Sequence, residues 1–366
     1  MTTETGMPME RRVFLGAMTT GALAASGLAS GLFSRRAAGT DAFEWKELAS
    51  GKVWATGSQT TGGASMLVAS AGQVLVVDSK FVGIAPLLRA EAEALAGSPV
   101  TVLLNTHHHG DHTGGNIAFT DGGEVIAHAG AAQRISKSLE GYQQQVKAAE
   151  KMAARLGSDE AKAAAVAAYE PVKARAEAGD IAGWLPTQTV DRYPMHLPVG
   201  KETLTVYHFG PGHTDNDLVV HLPDENIVHC GDLLFNGLHP FFDAQGGVSA
   251  SGWARSLRLT LDLCDDSTVV IGGHGPIGNR VSLEKQLGYM EGIIDEVGKV
   301  GRTGMPRGAI MKMSWQFMDG LGFEQLKPRA IAVTYDELFP AGPPRGTTPP
   351  TKPRGPAGKG IGRPGG

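Results

Sequence analysis

The chain reads as a layered α/β protein, and three observations carry that reading. Short apolar runs rich in β-branched residues recur between turn residues, and stretches of helical period separate several of them. With 42% hydrophobic and 19% charged residues over 366 positions, the chain can bury a large core. Only two cysteines occur, Cys230 and Cys264, so no disulfide framework holds the fold, although a single bridge between them stays open. The length allows two or three domains, or one large unit with appendages.

Taken in order, the first strand-like run is Met66-Leu67-Val68-Ala69, which turns at Ser70-Ala71-Gly72 into Val74-Leu75-Val76-Val77-Asp78. A helix is expected from Ile84 to Leu95, then strands at Val100–Leu104 and Glu124–His128. Further strands are expected at Glu202–His208, Asp217–Leu222, Ile227–Cys230 and Thr268–Ile271, with helices at Gly252–Leu263 and Leu283–Val300. Between the fourth and fifth strands lies a different composition. Residues 131–180 are rich in Ala, Lys, Glu and Gln, and Ile135, Leu139, Tyr142 and Val146 fall on one helical face. A second helix is expected from Ser158-Asp159-Glu160, a cap followed by acids. This is a helical insertion, either a covering layer or a lid.

The ends differ from the body. Residues 1–38 hold Arg11, Arg12, Arg35 and Arg36 against Glu4 and Glu10, and the apolar run from Gly16 to Phe33 is diluted by Gly, Ser and Thr. Basic residues before a modest apolar stretch mark an export signal, and the adjacent arginine pair followed by Phe14-Leu15 resembles the twin-arginine type. The run is too polar for a good membrane span. Residues 1–40 are therefore read as a signal, with cleavage between Ser30 and Asp41 and an exported or periplasmic destination. No stable span is expected after processing. Residues 341–366 form a Pro/Gly-rich basic tail that cannot order itself. Of the net charge of −4, the first segment contributes +2 and the tail +5, leaving −11 on the body. An acidic body repels phosphate backbones, which excludes nucleic acid and leaves a small molecule as the expected partner.

The chemistry concentrates in Asn105-Thr106-His107-His108-His109-Gly110-Asp111-His112-Thr113-Gly114-Gly115-Asn116, directly after an apolar strand. Imidazoles and carboxylates are good ligands for a borderline cation such as Zn²⁺. On an extended backbone His107 and His109 point to one side and His108 to the other, and Gly110 then lets Asp111 and His112 face a second position. Three more candidates sit at later strand ends beside glycines: His213 in Gly212-His213-Thr214, Asp232 in Gly231-Asp232-Leu233 and His274 in Gly273-His274-Gly275. Seven ligands exceed what one tetrahedral ion needs and suit two.

In this set, His107-x-His109-x-Asp111-His112 followed by His213, Asp232 and His274, the sequence resembles the metallo-β-lactamase superfamily from about Phe43 to Phe339. The resemblance implies an αββα sandwich, two packed mixed sheets with helices outside, over residues 41–340. It implies a first metal on His107, His109 and His213, a second on Asp111, His112 and His274, and Asp232 bridging both. Two zinc ions are expected, with iron or manganese as substitutes. Two cations lower the pKa of a bridging water, so that hydroxide can attack a carbonyl. Asp111 would orient that hydroxide as well as ligate, which makes it the catalytic candidate.

The expected activity is hydrolysis of an ester, thioester, lactone or amide-type substrate. Zinc β-lactamases of the three-histidine kind carry Cys where Asp232 stands, and a carboxylate-gripping Lys where this chain has Phe235. Glyoxalase II is similar at Thr106–Asn116 and Gly231–Phe235, but its basic glutathione-binding residues are not recognisable here. The resemblance fits best a general exported hydrolase, of the kind that accompanies periplasmic sulfur or quinoprotein pathways. From other classes, a di-iron oxidoreductase on the same ligands and a non-catalytic metal-binding protein remain as alternatives. Cys230 reads as a buried strand residue, and His196, His208, His221, His229 and His239 as surface or hydrogen-bonded residues. His128 is either a support for a ligand or core. Trp184, His239, Phe241 and Phe242 line a cleft or pack in the core. Replacing Arg11 and Arg12 with Lys is expected to block export, as fractionation of producing cells would show. Normal delivery would refute the address.

Overall fold

The computed structural model describes residues 42–58 and 61–342. The segment read as an export signal and the residues from 343 onward lie outside them. Two sheets face each other. The first contains, in spatial and chain order, β1 (Trp45–Ala49), β2 (Val53–Thr56), β3 (Ser65–Ser70), β4 (Gln73–Val77), β5 (Val102–Leu104), β6 (Glu124–His128) and β7 (Gln188–Val190). Pairing is antiparallel up to β4 and parallel from β4 to β7. The second contains β8 (Met195–Val199), β9 (Glu202–Tyr207), β10 (Val219–Leu222), β11 (Ile227–His229), β12 (Val269–Ile271) and β13 (Gly278–Asn279), also side by side in chain order. Only β11 and β12 pair in parallel there.

The alternation of side chains explains why the strands read as unbroken apolar runs. Along β4, Leu75 and Val77 point into the layer between the sheets, whereas Val74 and Val76 point outward into a second apolar layer. The same division holds in β3, with Met66 and Val68 inward and Leu67 and Ala69 outward. In the second sheet Ile227 and Ile271 face the first sheet, while Val228 and Val270 face a third apolar layer. Both faces of both sheets are thus covered, giving the αββα sandwich. The central strands are therefore apolar on both sides.

Helices complete the outer layers. Over the first sheet lie α1 (Ala85–Ala96), the short α2 (Gly110–Thr113), and the insertion helices α3 (Ala129–Lys137), α4 (Leu139–Ala153) and α5 (Asp159–Glu177). The helix expected to run on from Ala131 is broken at Ser138, whose hydroxyl bonds back to the Arg134 carbonyl and competes with the helical ladder. Its apolar face survives the break. Ile135 and Tyr142 are buried, and Leu139 and Val146 pack against the same core. Helix α5 starts as read, with the Ser158 hydroxyl accepting from the Ala161 amide at 3.0 Å. The insertion therefore packs as a covering layer on the outer face. Over the second sheet lie α6 (Ala250–Leu261), α7 (Arg280–Arg302), α8 (Arg307–Ile310) and α9 (Lys327–Leu338). No helix among the described residues is long and apolar enough to cross a membrane. Cys230 and Cys264 are both free thiols, so no bridge joins them.

The edge on which the strands end decides where chemistry can gather. Strands β4 and β5 are parallel, as are β11 and β12, and β9 runs the same way as β11 across the antiparallel β10. The loops that follow all five leave at one edge of their sheets. The last helix helps hold that edge. The Glu337 carboxylate of α9 accepts from the Ala250 amide at 2.5 Å, the Ser251 amide at 3.1 Å and the Ser249 hydroxyl at 3.3 Å, which satisfies the free amides at the start of α6. Glu337→Ala is expected to lower stability by about 1–2 kcal/mol in urea unfolding, with the slope of the transition unchanged.

Candidate metal centre

After β5 the chain bends through Thr106–His108, reaches His109 at φ −65° and ψ 148°, and then makes the single helical turn of α2. The bent stretch still brings His107 and His109 to one group, and the turn swings Asp111 and His112 towards a neighbouring one. His213 follows β9, Asp232 follows β11 and His274 follows β12. Coordinating atoms of His107, His109, His213 and Asp232 all lie within 4.8 Å of one another. Those of Asp111, His112 and His274 do the same. Asp232 lies between the groups. Its Oδ2 is 3.3 Å from His213 Nε2 and 3.3 Å from His274 Nε2, and its Oδ1 is 3.1 Å from His112 Nε2. All seven residues proposed from the sequence therefore meet in one place.

The outer nitrogens of the rings fix where the protons are. His109 Nε2 lies 2.9 Å from Asp243 Oδ2, His112 Nδ1 2.7 Å from Asp78 Oδ2, and His213 Nδ1 2.8 Å from the Phe241 carbonyl. Each of those oxygens only accepts, so each ring nitrogen there donates. His107 Nδ1 lies 3.1 Å from the Thr106 hydroxyl, which itself donates to Asp78 and so accepts from the ring. In their neutral, metal-binding form the rings of His107, His109 and His213 then turn an unprotonated nitrogen inward. His109 Nδ1 is 3.0 Å from both His107 Nε2 and His213 Nε2, lone pair against lone pair. Such contacts repel.

A cation removes the repulsion, and the burial of the site adds to the demand for one. His112 Nε2 and Asp232 Oδ1 are buried and neither meets a hydrogen-bond partner of acceptable geometry, despite their proximity. Burial holds His107 far below its ordinary pKa and His213 at about 3, so both are neutral and able to coordinate. Burial would also lower His112 and His274, but the Asp232 and Asp111 carboxylates outweigh it, raising the first well above its usual value and the second to about 10. The carboxylate side of the centre thus calls for positive charge. Neutral imidazoles and two carboxylates suit zinc or a similar divalent ion, and the residues present fit a pair of such ions.

Close approach is secured by missing side chains. A Cβ on Gly63 would fall 2.2 Å from His112 Cε1, and one on Gly273 would fall 1.8 Å from Asp232 Oδ1. The insertion braces the loop from outside. Tyr142 Oη shares a 2.6 Å hydrogen bond with Thr113 Oγ1, and Trp184 Nε1 donates to the Gly114 carbonyl at 2.9 Å.

The remaining sequence candidates sort cleanly. His108 turns away, accepting from the Asn216 amide at 3.1 Å, with its other nitrogen 3.7 Å from Asp243 Oδ2. Together with His109 it forms a third donor group around Asp243, but on the outer, proton-bearing side of that ring. His128 supports no ligand: its Nδ1 accepts from the Gly130 amide and caps α3. His239 bonds Tyr289, and Trp184 and Phe242 are core residues. Only Phe241 of that set faces the centre, its ring 5.8 Å from that of His109 and 6.2 Å from that of His213. Opposite it, the exposed Phe323 ring lies 6.4 Å from His274. Sequence reasoning missed Asp78, Asp243, Thr106 and Phe323. Asp78 carried the same strand-end signal as the ligands and Thr106 stood inside the ligand motif; Asp243 and Phe323 carried none.

Gly273→Ala is expected to push the Asp232 carboxylate aside, lowering metal content per chain while far-ultraviolet circular dichroism stays unchanged. Retention of full metal content would refute this packing argument.

Comparison with known proteins agrees with the geometry. The chain is 21% identical to a metallo-beta-lactamase from Pontibacter korlensis, with a TM-score of 0.50, covering 68% of this chain and 99% of that one. It is 16% identical to the DIM-1 metallo-beta-lactamase, again at 0.50, covering 68% and 97%. At such identity the likeness shows the fold. A stretch of 52 residues is 54% identical to a hydroxyacylglutathione hydrolase from Rhodospirillum rubrum, and spans 14% of this chain and 20% of that relative. The model of the Metallo-beta-lactamase superfamily matches residues 59–274, more than half of the sequence and every one of the seven clustered residues, and the chain belongs to that superfamily.

Proposed function

We propose that the protein is an exported hydrolase that uses two metal ions to cleave an acyl bond. The observation that carries the proposal is the convergence of five histidine rings on the buried Asp232 carboxylate and the part-exposed Asp111 carboxylate. In this reading His107, His109 and His213 hold one ion and Asp111, His112 and His274 the other, with Asp232 shared. Bound there, the two ions would supply Lewis acidity, enough to ionise a water near neutral pH and to polarise a carbonyl.

The chain's own residues do the rest. Asp78 and Asp243 keep the protons of His112 and His109 on the outer nitrogens, which fixes the tautomer and the ring plane. Thr106 passes the same constraint to His107, and the Phe241 carbonyl imposes it on His213. The Asp111 carboxylate, part-exposed and 3.2 Å from His274 Nε2, would orient an attacking water as well as ligate. Phe241 and Phe323 flank the opening with apolar surface and limit bulk water. The short match to a hydroxyacylglutathione hydrolase supports an acyl compound, with thioesters the first to try. The resemblance of the Arg11-Arg12 segment to a twin-arginine signal supports export.

Protein purified without added metal and assayed on esters, thioesters, lactones and β-lactams, with zinc, iron and manganese quantified in the same sample, tests the proposal. Turnover that falls with chelation and returns with zinc is the expected result. Tight metal uptake with no turnover on any substrate would leave a binding protein, and two irons with redox activity would overturn the hydrolase. Asp232→Ala is expected to take metal content from two ions towards one and to suppress hydrolysis. His108→Ala is expected to keep both ions.

A further inference from the structure

One described arginine, Arg329, lies against the aromatic ring beside the centre. Arg134, Arg175, Arg258 and Arg307 each contact a carboxylate at ordinary hydrogen-bond distance. Arg329, on the first turn of α9, does not. Its Nε donates to the Phe242 carbonyl at 2.6 Å, and its guanidinium carbon lies 4.5 Å from the centroid of the Phe241 ring. The nearest carboxylate oxygen to Nη2 is Asp243 Oδ1, at 3.9 Å. That oxygen already accepts from the Gln245 amide, and its twin accepts from His109. Among the described residues, Nη1 meets no acceptor at all. The side chain is 44% exposed.

We propose that Arg329, stacked on Phe241, is an anion-recognition subsite that selects acyl substrates bearing a carboxylate or similar group near the bond to be cleaved. The inference rests on the hydrolase reading above. A guanidinium anchored through Nε and laid on an aromatic face keeps the edge bearing its Nη groups free, in the planar geometry that a carboxylate matches with two hydrogen bonds. The ring beneath it is the same ring that stands beside His109 and His213, so an anion on Arg329 places the adjoining part of the molecule over the centre. The body of the chain carries a net −11 once the two ends are set aside, so an anionic substrate needs a local cation to enter. With Phe241 on one flank and Phe323 on the other, the fitting substrate has an apolar body, an anionic end and a reactive carbonyl between them.

The experiment compares two thioesters that are identical except that one ends in a carboxylate and the other in its methylamide. In R329Q, the preference for the anionic member, as a ratio of kcat/KM values, is expected to fall roughly tenfold or more, through KM rather than kcat. R329K, which keeps the charge but neither the planar fork nor the stack, should lie between. R302Q, which removes a charge at the far end of α7, should keep the ratio of the parent. An unchanged ratio in R329Q overturns the proposal, and a fall in kcat alone would make Arg329 a brace for the 241–243 loop. If the parent chain turns over neither thioester, the hydrolase reading fails, and calorimetric titration with phenylacetate decides this inference alone. Its Kd is expected to rise roughly tenfold in R329Q, and an equal Kd would end the proposal.

Discussion

Unprotonated ring nitrogens held 3.0 Å apart repel one another, and most of what surrounds the centre exists to keep them there. Left to themselves, His107, His109 and His213 would rotate so that one nitrogen donated to another. They cannot, because each outer nitrogen is committed to an acceptor that has no proton to give or has given it elsewhere. The acceptors come from distant parts of the chain: Asp78 from the end of β4, Asp243 and the Phe241 carbonyl from the stretch after β11. Both sheets must be packed before the repulsive arrangement can form, so the folded sandwich and the binding capacity arise together. Isolated, this arrangement would cost stability; with cations between the nitrogens it becomes a set of bonds.

Support continues outward from those acceptors. Asp78 serves three donors at once, the Thr106 amide, the Thr106 hydroxyl and the His112 ring, and is wholly buried. Lys80, also wholly buried, spends its ammonium on the carbonyls of Gly57 and Gly63 and so fixes the backbone that lies against His112. On the far side the insertion contributes Tyr142 and Trp184, which grip the loop between His109 and Gly114. Arg134 of α3 pairs with Asp215 two residues beyond His213, joining the insertion to the second sheet. The insertion is thus part of the mechanical frame of the centre.

What could be read from the sequence follows from how local each signal is. The seven clustered residues sit beside glycines at the ends of apolar runs, and both signs lie within a few positions of each residue. The strands buried on both faces, such as β4 and β6, declare themselves as apolar runs. By contrast, β1 exposes the adjacent Lys46 and Glu47, β8 exposes His196 and Pro198, and β7 is a three-residue edge strand, so none rises above the background of the loops. Helix α9 begins Lys327-Pro328-Arg329 and shows no clear periodic stripe, which hid it. Asp243 stands 134 positions from the His109 ring it orients, inside a loop with no element of its own. A partnership over that distance exists only once the chain has folded.

The family match stops at residue 274, immediately at the last of the clustered histidines. Phe323 and Arg329 lie beyond it, on a stretch that contributes no donor atom to the centre. Part of the rim of the centre therefore comes from a length of sequence that supplies no donors, while Phe241 comes from among them. Under the proposal for Arg329, exchanging the segment around 315–331 between relatives would change what is admitted while the donor set stays in place.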